Sequence, residues 1–248
     1  MMCITASCVI SDHTVYKNGR AVYECRGGDQ NMDKDFIKDA GVVGGTGVSE
    51  FLFSVYQHAG LNYPRFYKMD HLSKLGWLTA EILLADSFDA AHYRPEETGL
   101  VLSNANSSLD TDLKYYESVN DIPSPSLFVY TLPNIMTGEI CIRNGFKGEN
   151  AFFIAERFDA SLIVQYVSDL MDHDILKVCI CGWVDLLGEE YKSALYLIEN
   201  EGRGNSSEDV AGNIRRLPDV DAVRRDVGTY PIPFTTGAVN KIFQGENE

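Results

Sequence analysis

The segment LKVCICGWV, residues 176–184, constrains the fold more than any other part of the sequence. From Val178 to Val184 it contains no charged side chain. Successive side chains of a strand point to opposite faces of a sheet, so an all-apolar strand has to be covered on both faces. Such strands are typical of parallel sheets with helices on each side. We therefore expect this strand to lie inside the sheet of an α/β protein.

Strand and helix patterns alternate along the rest of the chain, which favours a mostly parallel, five-stranded sheet covered by helices on both faces. An Asn18-Gly19 pair between two β-rich runs adds a predicted hairpin near the N-terminus. The five segments with strand character are 3–11, 98–105, 151–154, 176–184 and 192–199.

The composition changes after residue 199, which suggests a boundary in the chain. Residues 1–199 are expected to form one α/β domain with a sizeable core. Residues 200–248 are rich in Gly, Ser, Pro and charged side chains. We expect them to form a C-terminal arm or tail that becomes ordered against the body or against a partner.

The net charge of −15, from 21 Lys and Arg against 36 Asp and Glu, excludes several classes of partner. A surface this acidic repels phosphate backbones, so we expect no nucleic-acid partner. No apolar run approaches the ~20 residues of a membrane span, so we expect no membrane partner. The N-terminal MMCITASCVIS has no basic segment before its short apolar run, which predicts a cytoplasmic protein without a signal peptide.

Neither the cysteines nor the glycines form a recognisable site. Cys179 and Cys181 fall on one face of the 176–184 strand and are expected to be buried small side chains, since two further ligands for a metal are missing. The glycines of GVVGGTG, residues 41–47, lack the spacing of either common phosphate-binding loop. We expect no metal and no cofactor.

The segment FKGENAFFIAERFDASLIVQYVSDL, residues 146–170, predicts a strand, a sharp turn and an amphipathic helix. Many α/β enzymes hold a nucleophile in such a turn, at the helix N-terminus. Here the turn carries Ala155, Glu156, Arg157 and Phe158, and none of these is a Ser, Thr or Cys. Asp159 is in position to cap the helix. The turn therefore has the geometry of a nucleophile elbow without a nucleophile.

Residues 64–199 resemble the N-terminal half of the β-ketoacyl-(acyl carrier protein) synthases, which have the thiolase fold. The resemblance rests on PRFYKMDHLSKLGWLTAEILLAD, TGLVLSNANSSLDTDLKYYESV and VCICGWVD in the family's order, and above all on SPSLFVYTLPNIMTGEICIRNGFKG. Active members load an acyl chain onto a cysteine and condense it with a decarboxylated malonyl carrier thioester. Two histidines from the second half of the family fold assist the decarboxylation.

The resemblance implies that this chain lacks the family's chemistry. Aligned without gaps from Gly148, the nucleophile position falls on Arg157, or on Phe158 after a shift of one residue. Neither can be acylated as a thiol can. None of the chain's five histidines follows the elbow in the family's way. Two roles remain open for Arg157: an ion pair with Glu156, Asp159 or another acid, or binding of a carboxylate or phosphate at the old site.

The resemblance also implies a partner. Family dimers pair through the strand before the nucleophile, here Ala151, Phe152, Phe153 and Ile154. The family loop that matches TLPNIMTG lines the acyl tunnel of the neighbouring subunit. By this resemblance the residues that would line the partner's tunnel are Leu132, Asn134, Ile135 and Met136. For Leu132, Ile135 and Met136, packing in the chain's own core is the alternative. The chain is similar in this to chain-length factors, which have lost the cysteine but bind a catalytic ketosynthase and occur in shortened form in aryl polyene clusters.

Three functional hypotheses follow from these patterns. The first is a noncatalytic subunit that pairs with a full-length ketosynthase, or with itself, in fatty-acid, polyketide or aryl polyene biosynthesis, with an acyl carrier protein as a further partner. The second is an independent acyltransferase or condensing enzyme with an unrecognised nucleophile. The third is a scaffold that binds an acyl group or a carrier. The candidates for the nucleophile in the second are Ser103, Ser107, Ser108 and Cys181.

Overall fold

The apolar segment forms strand β6 (Val178–Leu187), which is buried without interruption from Val178 to Val184. Its alternate side chains enter two separate cores. Ile180 and Val184 pack on one side of the sheet, and Cys179 and Cys181 pack on the other. The prediction of a strand covered on both faces is confirmed.

The computed structural model describes residues 1–25, 47–200 and 231–245. Within these ranges one sheet of eight strands runs in the order β3-β2-β1-β7-β6-β4-β5, with β8 paired to β1. The other strands are β1 (Met2–Ser11), β2 (Thr14–Lys17), β3 (Arg20–Glu24), β4 (Thr98–Asn104), β5 (Asn150–Ile154), β7 (Glu190–Asn200) and β8 (Ile232–Pro233).

The expectation of a mostly parallel, five-stranded sheet needs correction, because the sheet is mixed. Among the strands in the described ranges, only the β5–β4 and β4–β6 pairs are parallel. Strand β7 is antiparallel to both β6 and β1. The reason is local: Gly188 adopts a left-handed conformation with φ +61°, and the chain reverses directly from β6 into β7 without a crossover helix.

The extra strands come from a hairpin at the N-terminal side and from the C-terminal segment. Asn18 and Gly19 both have positive φ angles, as the predicted two-residue hairpin turn between β2 and β3 requires. Strand β8 pairs with β1, and the backbone N–H of Phe234 donates to the carbonyl of Met2. These pairings widen the sheet beyond the predicted five strands.

Helices cover both faces of the sheet. On one face lie α1 (Val48–His58), α2 (His71–Leu84) and α5 (Asn134–Asn144), and on the other lie α6 (Ala160–Asp172) and α7 (Thr236–Gln244). Two further helices, α3 (Leu109–Ser118) and α4 (Pro125–Val129), follow the carboxyl end of β4. None of the described helices is long and apolar enough to cross a membrane.

The division at residue 199 stays a prediction, although part of the predicted arm has a definite position. Residues 231–245 add β8 to the sheet and place α7 beside α6. The hydroxyl of Tyr196 donates to the carbonyl of Val239 at 3.2 Å. This segment therefore completes the core on the α6 side of the sheet.

Candidate functional site

The strand, turn and helix expected between residues 146 and 170 form the elbow at the end of β5. The backbone N–H of Ala155 donates to the carbonyl of Asn104, so pairing with β4 continues to the last residue before the turn. Helix α6 then begins at Ala160. Its N-cap is Asp159, whose carboxylate accepts hydrogen bonds from the N–H groups of Ser161 at 2.9 Å and Leu162 at 3.1 Å. The helix N-terminus is therefore satisfied by the chain itself.

Arg157 lies on the exposed side of this elbow. It makes no ion pair with another residue in the ranges that the structure describes, and the neighbouring Glu156 is exposed as well. The alternative in which Arg157 simply pairs with a neighbouring acid is thus not seen here. Binding of an anion by Arg157 stays a prediction.

The inner side of the elbow is closed by aromatic rings. Phe158 contacts Phe243 of α7 with ring centroids 4.4 Å apart, and contacts Trp183 of β6 edge-on at 6.0 Å. The ammonium group of Lys192 lies 4.1 Å from the centroid of Phe243. The side of the turn that faces the core is therefore filled by side chains from β6, β7 and α7.

Sequence reasoning missed this contribution of α7. The sequence predicts an arm or tail that orders against the body or a partner, but not a helix within it, because a short helix after a polar stretch gives little periodic signal. The usable signal was the cap: the side chain of Thr235 accepts from the N–H of Ala238, and Val239 and Ile242 follow at helical spacing.

The four alternative nucleophiles have few of the properties of a reaction centre. Ser103 is buried and donates to the carbonyl of Gly182, and Ser108 is buried and donates to the carbonyl of Thr131. Cys181 is fully buried, and burial raises its pKa well above the ordinary value for a thiol. Ser107 is half-buried in the loop after β4 with a positive φ angle.

Strand β5 occupies one edge of the sheet, and its side chains cover both cores. Phe152 packs against the core beneath α2, whereas Phe153 packs against the core beneath α6, with its ring centroid 5.1 Å from that of Tyr166. Ala151 is half-buried and Ile154 is 53% exposed. Among the described residues no strand pairs with the outer side of β5.

Comparison with known proteins addresses the fold directly. No protein-family model matches the sequence, and no curated protein matches it either. The solved structure of the ishigamide ketosynthase/chain length factor matches with a TM-score of 0.57 and 19% identity, over 81% of this chain and 62% of that chain. The chain has a ketosynthase-like fold.

A second solved structure supports this ketosynthase-like fold. It is AntDE:AntF, a type II PKS acyl-carrier protein in complex with its ketosynthase bound to the hexaketide, with a TM-score of 0.52 and 14% identity over 82% of this chain and 64% of that chain. The match spans less than two thirds of the length of the matched chain in each of the two structures. The resemblance inferred from the sequence is confirmed at the level of the fold.

In the ketosynthase-like fold the four predicted tunnel residues lie in different environments. Leu132 and Asn134 are exposed at the start of α5, and Ile135 is half-buried. Met136 is buried in the chain's own core and packs directly against the backbone of Gly76 on α2. Met136 therefore matches the core-packing alternative, and the role of Leu132, Asn134 and Ile135 toward a partner stays a prediction.

The described histidines are dispersed over the ketosynthase-like fold. His13 packs against Phe51, His58 packs against Tyr23, and His92 is exposed before β4. His173 is the C-cap of α6, at the opposite end of this helix from the elbow. His71 lies at the start of α2, where burial and the nearby Lys114 and Lys74 lower its pKa to about 4.

Of the glycine-rich segment 41–47, the structure describes only Gly47. The first N–H of α1, from Val48, is bound by the carboxylate of Glu189 at 2.7 Å. In the described parts of the chain, no three His, Cys, Asp or Glu side chains cluster closely enough to hold a metal ion.

Proposed function

We propose that this chain is a noncatalytic, chain-length-factor-type subunit that pairs with an active 3-oxoacyl-carrier-protein synthase. The setting is fatty-acid, polyketide or aryl polyene biosynthesis. Two structures with this fold support the proposal through their own contents, since one contains a ketosynthase with a chain length factor and the other a ketosynthase with an acyl-carrier protein. A carrier protein is therefore proposed as a further partner of the complex.

The observation that carries this proposal is the open edge of β5. The N–H of Ala155 donates to the carbonyl of Asn104 in β4, and the carbonyl of Glu149 accepts from the N–H of Leu100 in β4. These backbone groups therefore point toward β4. Backbone groups alternate in direction along a strand, so those of Phe152 and Ile154 point outward. A strand with apolar side chains and an unpaired backbone edge is a template for another strand. Pairing with a partner strand satisfies these groups.

The chemistry of the elbow supports a noncatalytic role. A guanidinium at the family's nucleophile position does not form a thioester. Asp159 already holds the N–H groups that would otherwise stabilise a thiolate at the start of α6. The fold thus keeps the strand and helix around the elbow, whereas the groups that would activate a nucleophile are occupied.

The proposal is tested by removing one outward N–H from β5. Ile154→Pro deletes that donor and places a ring where the partner strand would pair, while the bonds from β5 to β4 are kept. Ile154→Val is the matched control, because it keeps the N–H group and a similar side chain. Each variant is co-expressed with a ketosynthase encoded beside this chain, and complex formation is measured by size-exclusion chromatography with light scattering.

We expect a heterodimer with wild type and with Ile154→Val, and its loss with Ile154→Pro. A wild-type chain that stays monomeric beside the ketosynthase across the concentration range contradicts the proposal. So does a wild-type chain that forms only a dimer with itself.

A further inference from the structure

A cavity of about 230 Å³ lies where α2 and α5 come to an end. Leu84 is the last residue of α2, Asn144 is the last residue of α5, and both line the cavity. A cavity of about 150 Å³ is large enough to bind benzene in a protein core, whereas drug-sized ligands occupy about 300–1,000 Å³. The size therefore fits a small molecule with a single ring or a short chain.

This cavity and the elbow lie at opposite ends of β5. Of the lining residues, Phe88 to Ala91 precede β4 and Phe146 precedes β5, so the cavity is at the amino ends of these two parallel strands. The elbow follows the carboxyl end of β5. A strand of five residues is about 17 Å long, so a small ligand in the cavity does not reach Arg157.

Aromatic and aliphatic side chains form the walls of the cavity. The rings of Phe88 and Phe146 meet edge to face, with centroids 5.6 Å apart and planes inclined by 86°. Phe88 also stacks on Tyr93 at 5.7 Å, and both Phe146 and Leu84 are buried in the core beneath α2. These contacts fix the two rings, so the apolar wall is formed before any ligand binds.

A buried carboxylate supplies the main polar group of the cavity. Glu81 is only 5% exposed, and its two oxygens accept from Nε of Arg143 at 3.2 Å and from Nδ2 of Asn144 at 3.4 Å. Both distances are at or beyond the long end of the usual range for N–H···O bonds. An ionised carboxylate has about four acceptor positions, so Glu81 can accept a further donor from a ligand.

Asp89 adds a second carboxylate nearer the mouth of the cavity. Its side chain is 18% exposed, accepts from the N–H of Ala91 at 2.9 Å and lies 3.6 Å from Nδ1 of His92. Ala90 and Ala91 are both exposed and form the rim beside it. A ligand that enters from solvent therefore passes one carboxylate before it reaches the other.

The electrostatic character of the cavity favours a positive charge. Two of its eight described lining residues are acids, and none of the eight is Lys, Arg or His. The carboxyl ends of α2 and α5 meet at the cavity, and a helix C-terminus carries a partial negative charge. The guanidinium of Arg143 is not part of the lining and lies over the ring of Tyr63, 4.9 Å from its centroid.

We infer that this cavity is a binding site for a small organic cation, a primary ammonium group carried on a short apolar body. The ammonium group donates to Glu81, and the apolar body lies against Phe88 and Phe146, whose ring faces also attract positive charge. Asp89 adds attraction at the mouth. The inference concerns this chain alone and does not depend on pairing at β5.

The test measures the binding of three probes of one size to the full chain by isothermal titration calorimetry. Benzylammonium is the cation, benzyl alcohol is its neutral counterpart, and benzoate is the anion. Ala91→Leu narrows the cavity from its exposed rim, and Ala21→Leu makes the same change at an exposed position on β3 as the control. Asp89→Asn removes one charge but keeps the acceptor for the N–H of Ala91. Glu81 is left unchanged, because its carboxylate also joins α2 to α5 through Arg143.

We expect saturable binding of benzylammonium at one site, at least about tenfold tighter than benzyl alcohol, and no binding of benzoate. Ala91→Leu should abolish this binding, and Ala21→Leu should leave it unchanged. Asp89→Asn should weaken binding of benzylammonium by up to about fivefold without affecting benzyl alcohol, a difference that a change in packing would not produce.

Three results would overturn the inference. The first is a wild-type chain that binds neither benzylammonium nor butylammonium saturably. The second is an equal affinity for the three probes. The third is binding of benzylammonium that persists in Ala91→Leu.

Discussion

Phe243 in the last described helix lies against Phe158 in the elbow, with ring centroids 4.4 Å apart and planes inclined by 31°. These two residues join the segment 231–245 to the turn that the sequence predicts to hold the family's nucleophile position. The contact makes the closure of the elbow depend on a helix that is distant in sequence. It also gives α7 a measurable structural role.

Phe243→Ala is expected to destabilise the fold by about 1–3 kcal/mol, because it removes a half-buried ring from the cluster with Phe158 and Trp183. The free energy of unfolding in urea measures the effect. Phe128→Ala, which truncates an exposed ring, is the control and should change stability little. Equal stability of the two variants would show that α7 does not hold the elbow closed.

Asp159→Ala is expected to cost about 1 kcal/mol of stability, since it leaves two N–H groups at the start of α6 without their acceptor. Asp159→Asn retains an acceptor oxygen and should cost much less. Arg157→Ala, next to it on the exposed turn, should leave stability unchanged. Thermal unfolding of the three variants separates capping from a general sensitivity of the turn.

Stability is expected to fall as the pH is lowered from about 6.5 to 4, because His71 has a pKa of about 4 in the folded protein and an ordinary one when unfolded. The unfolded chain binds a proton in this window and the folded chain does not. The effect amounts to at most about 3 kcal/mol. Burial raises the pKa of the neighbouring Asp70, which acts in the opposite direction nearer pH 4.

The contribution of His71 is obtained from the difference between wild type and His71→Gln in urea unfolding at several pH values. The slope between pH 6.5 and 4 should be smaller in the variant. His92→Gln changes an exposed histidine and should reproduce the wild-type slope. A His71→Gln curve parallel to wild type would contradict the prediction.

Thiol reagents are expected to leave Cys179 and Cys181 unmodified in the folded protein. Both are fully buried, and burial raises the pKa of each thiol. Cys25 is half-buried and should react first. Mass spectrometry after brief alkylation locates the modified residues. Stoichiometric labelling of Cys181 before Cys25 would instead favour the independent-enzyme hypothesis.

Leu132→Trp is expected to shorten the product made by the ketosynthase partner if this residue enters the partner's tunnel. The side chain is 58% exposed here, so a larger ring does not disturb the chain's own core. Product length from the reconstituted complex, read by mass spectrometry, is compared with that of Ile142→Trp, another exposed apolar position on α5. Unchanged length with intact binding would remove Leu132 from the tunnel.

The sequence predicts most of the strands and helices but not the relative direction of neighbouring strands. Features that depend on residues adjacent in sequence are predicted from the sequence alone. These are the uninterrupted apolar run of β6, the Asn18-Gly19 turn and the Asp159 cap. The direction of β7 depends on the turn at Gly188. Since β6 and β7 are both buried on two faces, their patterns do not distinguish antiparallel from parallel pairing.

The same limit applies to the site. The pattern of DTDLKYYESV, residues 110–119, predicts an amphipathic helix, but a period does not say which face is buried. The buried polar contacts of Asp110 and Thr111 decide that, and they involve Gly188 and Asp70, which are distant in sequence. Met136 and Leu132 are both predicted to line the partner's tunnel because both lie in TLPNIMTG. In the structure Met136 is buried in the chain's own core, whereas Leu132 is exposed.

The position of β1 has a consequence for how the chain is made. The hydroxyl of Thr5 bonds the carbonyl of Leu197 across 192 positions of sequence, and β8 joins β1 later still. During synthesis the first strand therefore has no long partner until the 192 positions that separate Thr5 from Leu197 in β7 have been added. Contacts this distant slow folding and prolong the time that apolar strands are unprotected. We expect the yield of native protein to depend strongly on chaperones that bind the growing N-terminal strand.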